Sequence, residues 1–190
     1  MKEFIKSGCI ILLCYFIFTS ICGIFRVESF LSYVDHDILS MARLSSYINL
    51  VISEILAMVF IVALLSGCYF IFALLKSVPD KTAFIMSVKA FITIFALDEL
   101  AKLIVVIWIL KGENSYTISS VDDVTNIFQE SNLFYLSYII DCFTFVCASL
   151  SFNFVLLIKS KKRSIIDAII VMLFLITIFA LTHRDFITIM

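Results

Sequence analysis

Five stretches of this chain are apolar for long enough to cross a bilayer, and that constrains its fold more than any other feature. At about 1.5 Å of rise per residue, a helix needs roughly 20 apolar residues to span the hydrocarbon core. The runs at 4–25, 49–75, 84–110, 133–158 and 165–182 meet or approach that length. Within lipid every backbone N–H and C=O must be bonded inside the protein, so only helices and closed barrels cross. Four glycines and one proline in 190 residues favour long unbroken helices over a turn-rich barrel. With 63% hydrophobic and only 15% charged residues, the chain carries more apolar surface than a soluble fold of this size can hide. The reading is all-α: a polytopic integral membrane helical bundle of about five transmembrane helices, with 1–190 forming a single membrane domain.

The basic start, Lys2 and Lys6, is followed by the apolar run Cys9–Phe18. No A-x-A-like cleavage site follows, and Ile21 stands where a lipoprotein signal ending at Cys22 requires a small residue, so residues 4–25 read as an uncleaved first span. Orientation follows from Lys and Arg. With the N-terminus inside, the inner segments hold Lys2, Lys6, Lys76, Lys81, Lys159, Lys161, Lys162 and Arg163, against Arg26, Arg43, Lys111 and Arg184 outside. Eight against four sets N-in, C-out by the positive-inside rule. The fifth span reaches full length only if Asp167 stays at the interface, paired one turn back with Arg163.

Two linkers carry helical patterns. Leu31, Val34, Ile38 and Met41 recur among Glu28, Asp35, Asp37 and Arg43, which suits a helix lying flat in the interface. Ser119 and Ser120 precede Asp122 and Asp123, with Val121, Val124, Ile127 and Phe128 at three- and four-residue spacing, the pattern of a capped short helix.

Charges inside the spans are the informative residues, because an ionised side chain at mid-membrane costs about 2.5–3.5 kcal/mol or more unless paired or hydrated. The third span carries Lys89, Asp98, Glu99 and Lys102, the second Glu54 and the fourth Asp141. Lys89 is near the inner end and within snorkelling reach of water. The others, Glu54, Asp98, Glu99, Lys102 and Asp141, fall in the outer half and form a candidate intramembrane charge cluster. Asp98 and Glu99 lie four and three residues before Lys102, so one lysine can face both acids. Two readings stay open. The cluster is a polar cavity that binds a cation or relays protons, or it is a structural lock in which Lys102 holds the helices together.

The fourth span supports a packing role. Ser137, Asp141, Thr144, Ala148 and Ser151 form a heptad seam of small and polar residues, with Phe134, Tyr138, Phe143, Phe145, Phe152 and Phe154 mostly off it. Small residues let membrane helices approach, and polar ones bond across the contact. The fourth span is expected to be central, its seam facing the second and third. Ala63 and Gly67 give the second span a small-xxx-small patch for the same purpose.

The remaining residues carry less. Cysteines 9, 14, 22, 68, 142 and 147 lie in apolar runs without metal-ligand spacing and read as packing residues, with Cys22 the best placed for a disulfide. Asp35-His36-Asp37 reads as an exposed polar loop, since neighbouring side chains point in different directions. His183, beside Arg184 and Asp185, reads as interfacial. The basic run Lys159 to Arg163 attracts anionic lipid and serves as a topology determinant. No nucleophile elbow, zinc-protease helix or phosphate loop occurs, so no catalytic residue, metal ligand or cofactor is assigned. The net charge of −1 gives no sign of nucleic acid.

The second half carries Tyr138-Ile139-Ile140-Asp141-Cys142-Phe143, then Ser160-Lys161-Lys162-Arg163, then an apolar run to Leu181. In these features residues 60–182 resemble the Yip1-domain membrane proteins, particularly their short bacterial members, with five spans, an acid early in the fourth and a basic turn before the last. The Gly- and Pro-containing signatures of the eukaryotic trafficking members are missing. The resemblance implies a helical membrane scaffold or adaptor without catalytic residues. The expectation is a non-enzymatic, multi-pass protein of the bacterial cytoplasmic membrane, a scaffold or accessory subunit whose partners are the lipid bilayer and other membrane proteins or further copies of itself. A small permease using the acidic cluster and a membrane immunity protein are the alternatives. The bacterial setting rests on small size, the lack of a soluble domain and heavy use of Ile, Phe and Lys.

Overall fold

The computed structural model describes residues 2–76, 78–112, 133–159 and 165–182, and within them it is all-helical. Five helices follow one another: α1 (Lys2–Leu31), α2 (Leu39–Leu74), α3 (Lys81–Gly112), α4 (Leu133–Lys159) and α5 (Ile165–Thr182). Four of them, α1, α2, α4 and α5, hold segments long and apolar enough to cross a membrane. The third expected span, 84–110, is not among these four. It lies in α3, which has the length, but Lys89, Asp98, Glu99 and Lys102 leave it too charged to qualify on composition.

The first two helices are longer than their apolar runs. No Gly or Pro stands between Gly23 and Gly67, so little stops α1 at the membrane edge or delays the start of α2. The expected interfacial helix is therefore not a separate element. Leu31 ends α1, Met41 belongs to α2, and between them the chain reverses through turns closed by Tyr33 N–H to Phe30 O, Val34 N–H to Leu31 O and Ile38 N–H to Asp35 O. Asp35, His36 and Asp37 occupy that turn, the last two exposed. At the far end of α2, Lys76 takes a left-handed conformation (φ 54°), the usual way a helix stops. Pro79 follows, and the Asp80 carbonyl accepts the first bond of α3 from Phe84 N–H. The short helix expected at 119–128, Arg163 and His183 lie outside the described residues, and Asp167, expected to pair with Arg163, stands in the first turn of α5.

The chain forms two compact units. One comprises Met1–Leu13, Met58–Phe95 and Thr144–Met190, and its described part is built on aromatic rings. Phe84 and Phe91 each meet Phe152 edge-on, Phe91 also meets Phe145, and Phe145 stacks on Phe179 at 4.4 Å between centroids. Partners on α4 move back as those on α3 move forward, so these two helices run antiparallel here. Gly67 faces Phe174 of α5, where an added Cβ would come within 2.8 Å of the ring. Ala63 is exposed, so the expected small-xxx-small patch reduces to Gly67, and its neighbour is α5.

The second unit comprises Cys14–Ala57 and Ala96–Phe143. Its α1 and α2 segments are antiparallel: Glu28 meets Arg43 and Tyr47, Gly23 lies against Leu50, and Thr19 meets Glu54. A Cβ at Gly23 would run into the Leu50 side chain, so glycine sets this close approach.

The seam of α4 needs a correction. Thr144 and Ala148 are buried as expected, but so are Phe145 and Phe152, which the heptad pattern placed off the seam, while Ser151 is only half-buried. An α-helix with 3.6 residues per turn drifts about 20° per heptad from a 3.5-residue repeat. Along α4 the inner face therefore slides from the heptad positions onto Phe145, Ala148, Phe152 and Leu156. Phe143 and Phe154 do face outward. Ala148→Leu should overpack this face at about 1–3 kcal/mol. Phe152→Ala should cost about 3–5 kcal/mol, whereas Phe154→Ala, at a ring 63% exposed, should change little. Equilibrium unfolding in mild detergent measures all three, and equal losses at 152 and 154 would contradict this inner face.

Candidate functional site

The second unit holds all five cluster residues, but gathers four of them, Asp98, Glu99, Lys102 and Asp141, while Glu54 bonds to α1 instead. Lys102 is the centre. Its ammonium lies 2.7 Å from Asp98 on its own helix, is in direct ion-pair contact with Asp141 of α4, and is 3.8 Å from Glu99. Helical geometry places the α3 partners, since residues three and four apart stand one above the other on a single face. Asp141 comes from another helix, so the Lys102–Asp141 pair ties α3 to α4.

Glu99 turns to α1. Arg26 Nη1 stands 3.0 Å from Glu99 Oε2, close enough for an ion pair though not aligned as a hydrogen bond to that oxygen. Arg26 reads in the sequence as part of an outer linker. The continuation of α1 to Leu31 carries it into the helix and onto the face of Tyr15, Thr19 and Cys22. That spacing of four, three and four is the signal that identifies the stripe, and it was legible once the helix was extended past residue 25.

Glu54 sits apart from Lys102. Thr19 Oγ1 donates to Glu54 Oε2 at 2.6 Å and also to Phe16 O at 3.2 Å. Glu54 is 6% exposed and Thr19 fully buried, so this bond joins α1 to α2 away from water. Tyr15, also buried, lies one turn before Thr19 on the same face of α1. At the end of the same hairpin Glu28 accepts from Tyr47 Oη at 2.6 Å and pairs with Arg43 at 3.3 Å, in a more exposed setting where such a pair contributes at most about 1 kcal/mol.

Lys89 lies on an exposed face of α3, compatible with snorkelling. All six cysteines are free, including buried Cys22, so the disulfide is not formed. Among the described residues no three His, Cys, Asp or Glu side chains group as a metal site.

Magnitudes show why the pairing matters. Four ionised acids left alone at mid-membrane would cost roughly 10–14 kcal/mol, about the whole stability of an ordinary domain. The network instead directs Arg26 and Lys102 at three of them and a hydroxyl at the fourth. In doing so it links α1 to α2, α1 to α3 and α3 to α4.

No protein-family model, curated protein or solved structure matches this chain. Its class rests on the molecule itself: four of its helices are long and apolar enough to cross a membrane, the make-up of a multi-pass α-helical membrane protein.

Lys102→Met should destabilise the protein by about 3–5 kcal/mol, the cost of stranding buried charge. The loss should be smaller in mildly acidic than in mildly alkaline buffer, because protonation neutralises the stranded acids. Adding Asp141→Asn should recover part of it. Unfolding in detergent at both pH values tests this, and a Lys102→Met protein as stable as the parent at each would remove Lys102 from the lock.

Proposed function

We propose that this chain is a non-enzymatic scaffold or accessory subunit of the bacterial cytoplasmic membrane, crossing it five times with the N-terminus inside and the C-terminus outside. The observation that supports this reading is the internal pairing of its charges. Arg26 and Lys102 point at acids of the same chain, and each contact joins two helices or braces one. A network used in this way holds helices in place and needs no ligand. On this reading α3 is the fifth crossing, made tolerable by partners on α1 and α4. The resemblance of residues 60–182 to Yip1-domain proteins points the same way, towards a helical scaffold that works through other membrane proteins or further copies of itself.

A permease is the rival, and one observation favours it: among the described residues three acids share two bases while Glu54 has a hydroxyl, and Asp98 Oδ1 is buried without a hydrogen-bond partner. The Lys102→Met, Asp141→Asn double variant separates the two. As a scaffold, the refolded double variant retains the membrane proteins that co-purify with the parent in mild detergent. As a permease, parent and variant purify without partners, and the parent alone is stabilised by a transported solute.

Topology has its own test. In a background without native cysteines, single cysteines at Ser115 and Ser160 should react with impermeant reagents from opposite sides of the membrane, 115 from outside and 160 from inside. Labelling of both from one side would overturn the five-span arrangement.

A further inference from the structure

We propose that α2 carries a seam for a second copy of this chain, and that two copies pair in parallel through the exposed stripe Met41, Leu44, Ile48, Val51 and Ile55. This goes beyond the scaffold reading and does not rest on it.

The first observation is length. The α2 helix runs unbroken for 36 residues, Leu39–Leu74, which is about 54 Å at 1.5 Å per residue. The hydrocarbon core is about 30 Å thick, and even at a tilt of about 40° it holds only about 26 residues of helix. The surplus falls at the N-terminal end. Residues 55–74 carry no charge, whereas Ser40, Arg43, Ser45, Ser46 and Asn49 crowd the first turns. The stretch from Leu39 to Ile48 therefore stands past the hydrocarbon, among headgroups and water.

The second observation is what that stretch presents. Met41 is 79% exposed, Leu44 65% and Ile48 49%, large apolar side chains with no lipid tail to cover them. Arg43 and Tyr47 turn instead to Glu28 of α1. A helix continuous to Leu74 cannot lie flat and bury this stripe in the interface, as a monotopic helix does. The stripe goes on at the same three- and four-residue spacing through Val51 and Ile55, both more than half exposed.

Register, charge and area select the occupant. Copies inserted in one orientation hold α2 parallel and at one depth. Across a two-fold axis each residue then meets its own counterpart, and the boundary between water and lipid falls at the same height on both. Met41, Ile48 and Ile55 take the a positions of a heptad, Leu44 and Val51 the d positions, and β-branched residues at a favour two strands. No charge lies on the stripe. The nearest, Arg43 and Glu54, are held by Glu28 and Thr19 of the same chain, so nothing repels across the axis. Roughly 80–100 Å² buried at each of these positions and at flanking Ser45 and Ile52 comes to about 1,000 Å² or more over two copies, the size a specific interface needs.

Single cysteines in a background without native cysteines test the seam in the membrane. On oxidation, Leu44→Cys and Ile48→Cys should give a product of twice the chain mass, and Asn49→Cys, about a third of a turn from the stripe, should not. No product, equal products from all three, or a product of another mass would each overturn the proposal, the last by giving the seam to a different protein. Sedimentation equilibrium of the parent in mild detergent decides even if that background does not fold. The parent should be a dimer. Leu44→Asn, at a side chain exposed in its own chain, should keep the helical content and weaken association by about tenfold or more. A monomeric parent, or a folded Leu44→Asn as dimeric as the parent, would sink the idea. Co-purification of other membrane proteins reads the scaffold role separately: a dimer without them keeps this proposal, and a monomer with them keeps only that role.

Discussion

Everything in the second unit follows from one constraint: lipid provides nothing to solvate an ion. A lysine ammonium far along a helix can exist there only if carboxylates surround it, and Asp98, Asp141 and Glu99 do so. The consequence reaches back to secondary structure. The α3 helix is too charged to qualify as a membrane span by composition alone. Its place among apolar helices depends on Arg26 from α1 and Asp141 from α4. For most membrane helices insertion comes first and packing afterwards. On the five-span reading, the partners are part of what makes α3 compatible with lipid.

The two units solve the packing problem by different chemistry. In one, rings at Phe84, Phe91, Phe145, Phe152 and Phe179 interlock edge-on and stacked, contacts worth about 0.5–1.5 kcal/mol each beyond area burial. In the other, hydrogen bonds and ion pairs provide the specificity, and Gly23 provides the close approach. Most remaining large apolar side chains, such as Leu13, Ile52, Phe70 and Ile166, stay exposed. That is the expected outcome where the solvent is itself apolar.

How much of this was legible in the sequence depended on the length over which a pattern acts. Hydropathy placed α4 and α5 within a residue of their ends, because basic residues or a change of composition bound both runs. It shortened α1 and α2, because a helix that leaves the hydrocarbon need not stop there, and nothing in 26–48 forces it to. That shortening hid Arg26. The Lys102 environment was readable from three- and four-residue spacing on α3, and its approach to Asp141 from similar distances to the outer ends of the runs. The contacts Thr19–Glu54 and Arg26–Glu99 were not readable, since they depend on which faces α1 turns to α2 and α3. The heptad on α4 misled for a geometric reason: a 3.5-residue repeat describes a seam only where helices supercoil around one another.

A buried ion network is seldom the most stable solution. Well-packed apolar residues of similar volume often do as well or better. What such a network adds is register. Apolar helices in lipid have little hydrophobic drive to associate and are placed mainly by close packing. A slide of α4 past α3 by one turn would exchange one set of apolar contacts for another at modest cost. The same slide of about 5.4 Å would carry Asp141 away from Lys102 and strand charge on both helices. Pairs at Thr19–Glu54 and Arg26–Glu99 impose the same condition on α1. With α1 to α4 each fixed against a neighbour by a contact that tolerates no offset, these four helices gain a single register that their apolar surfaces alone do not specify.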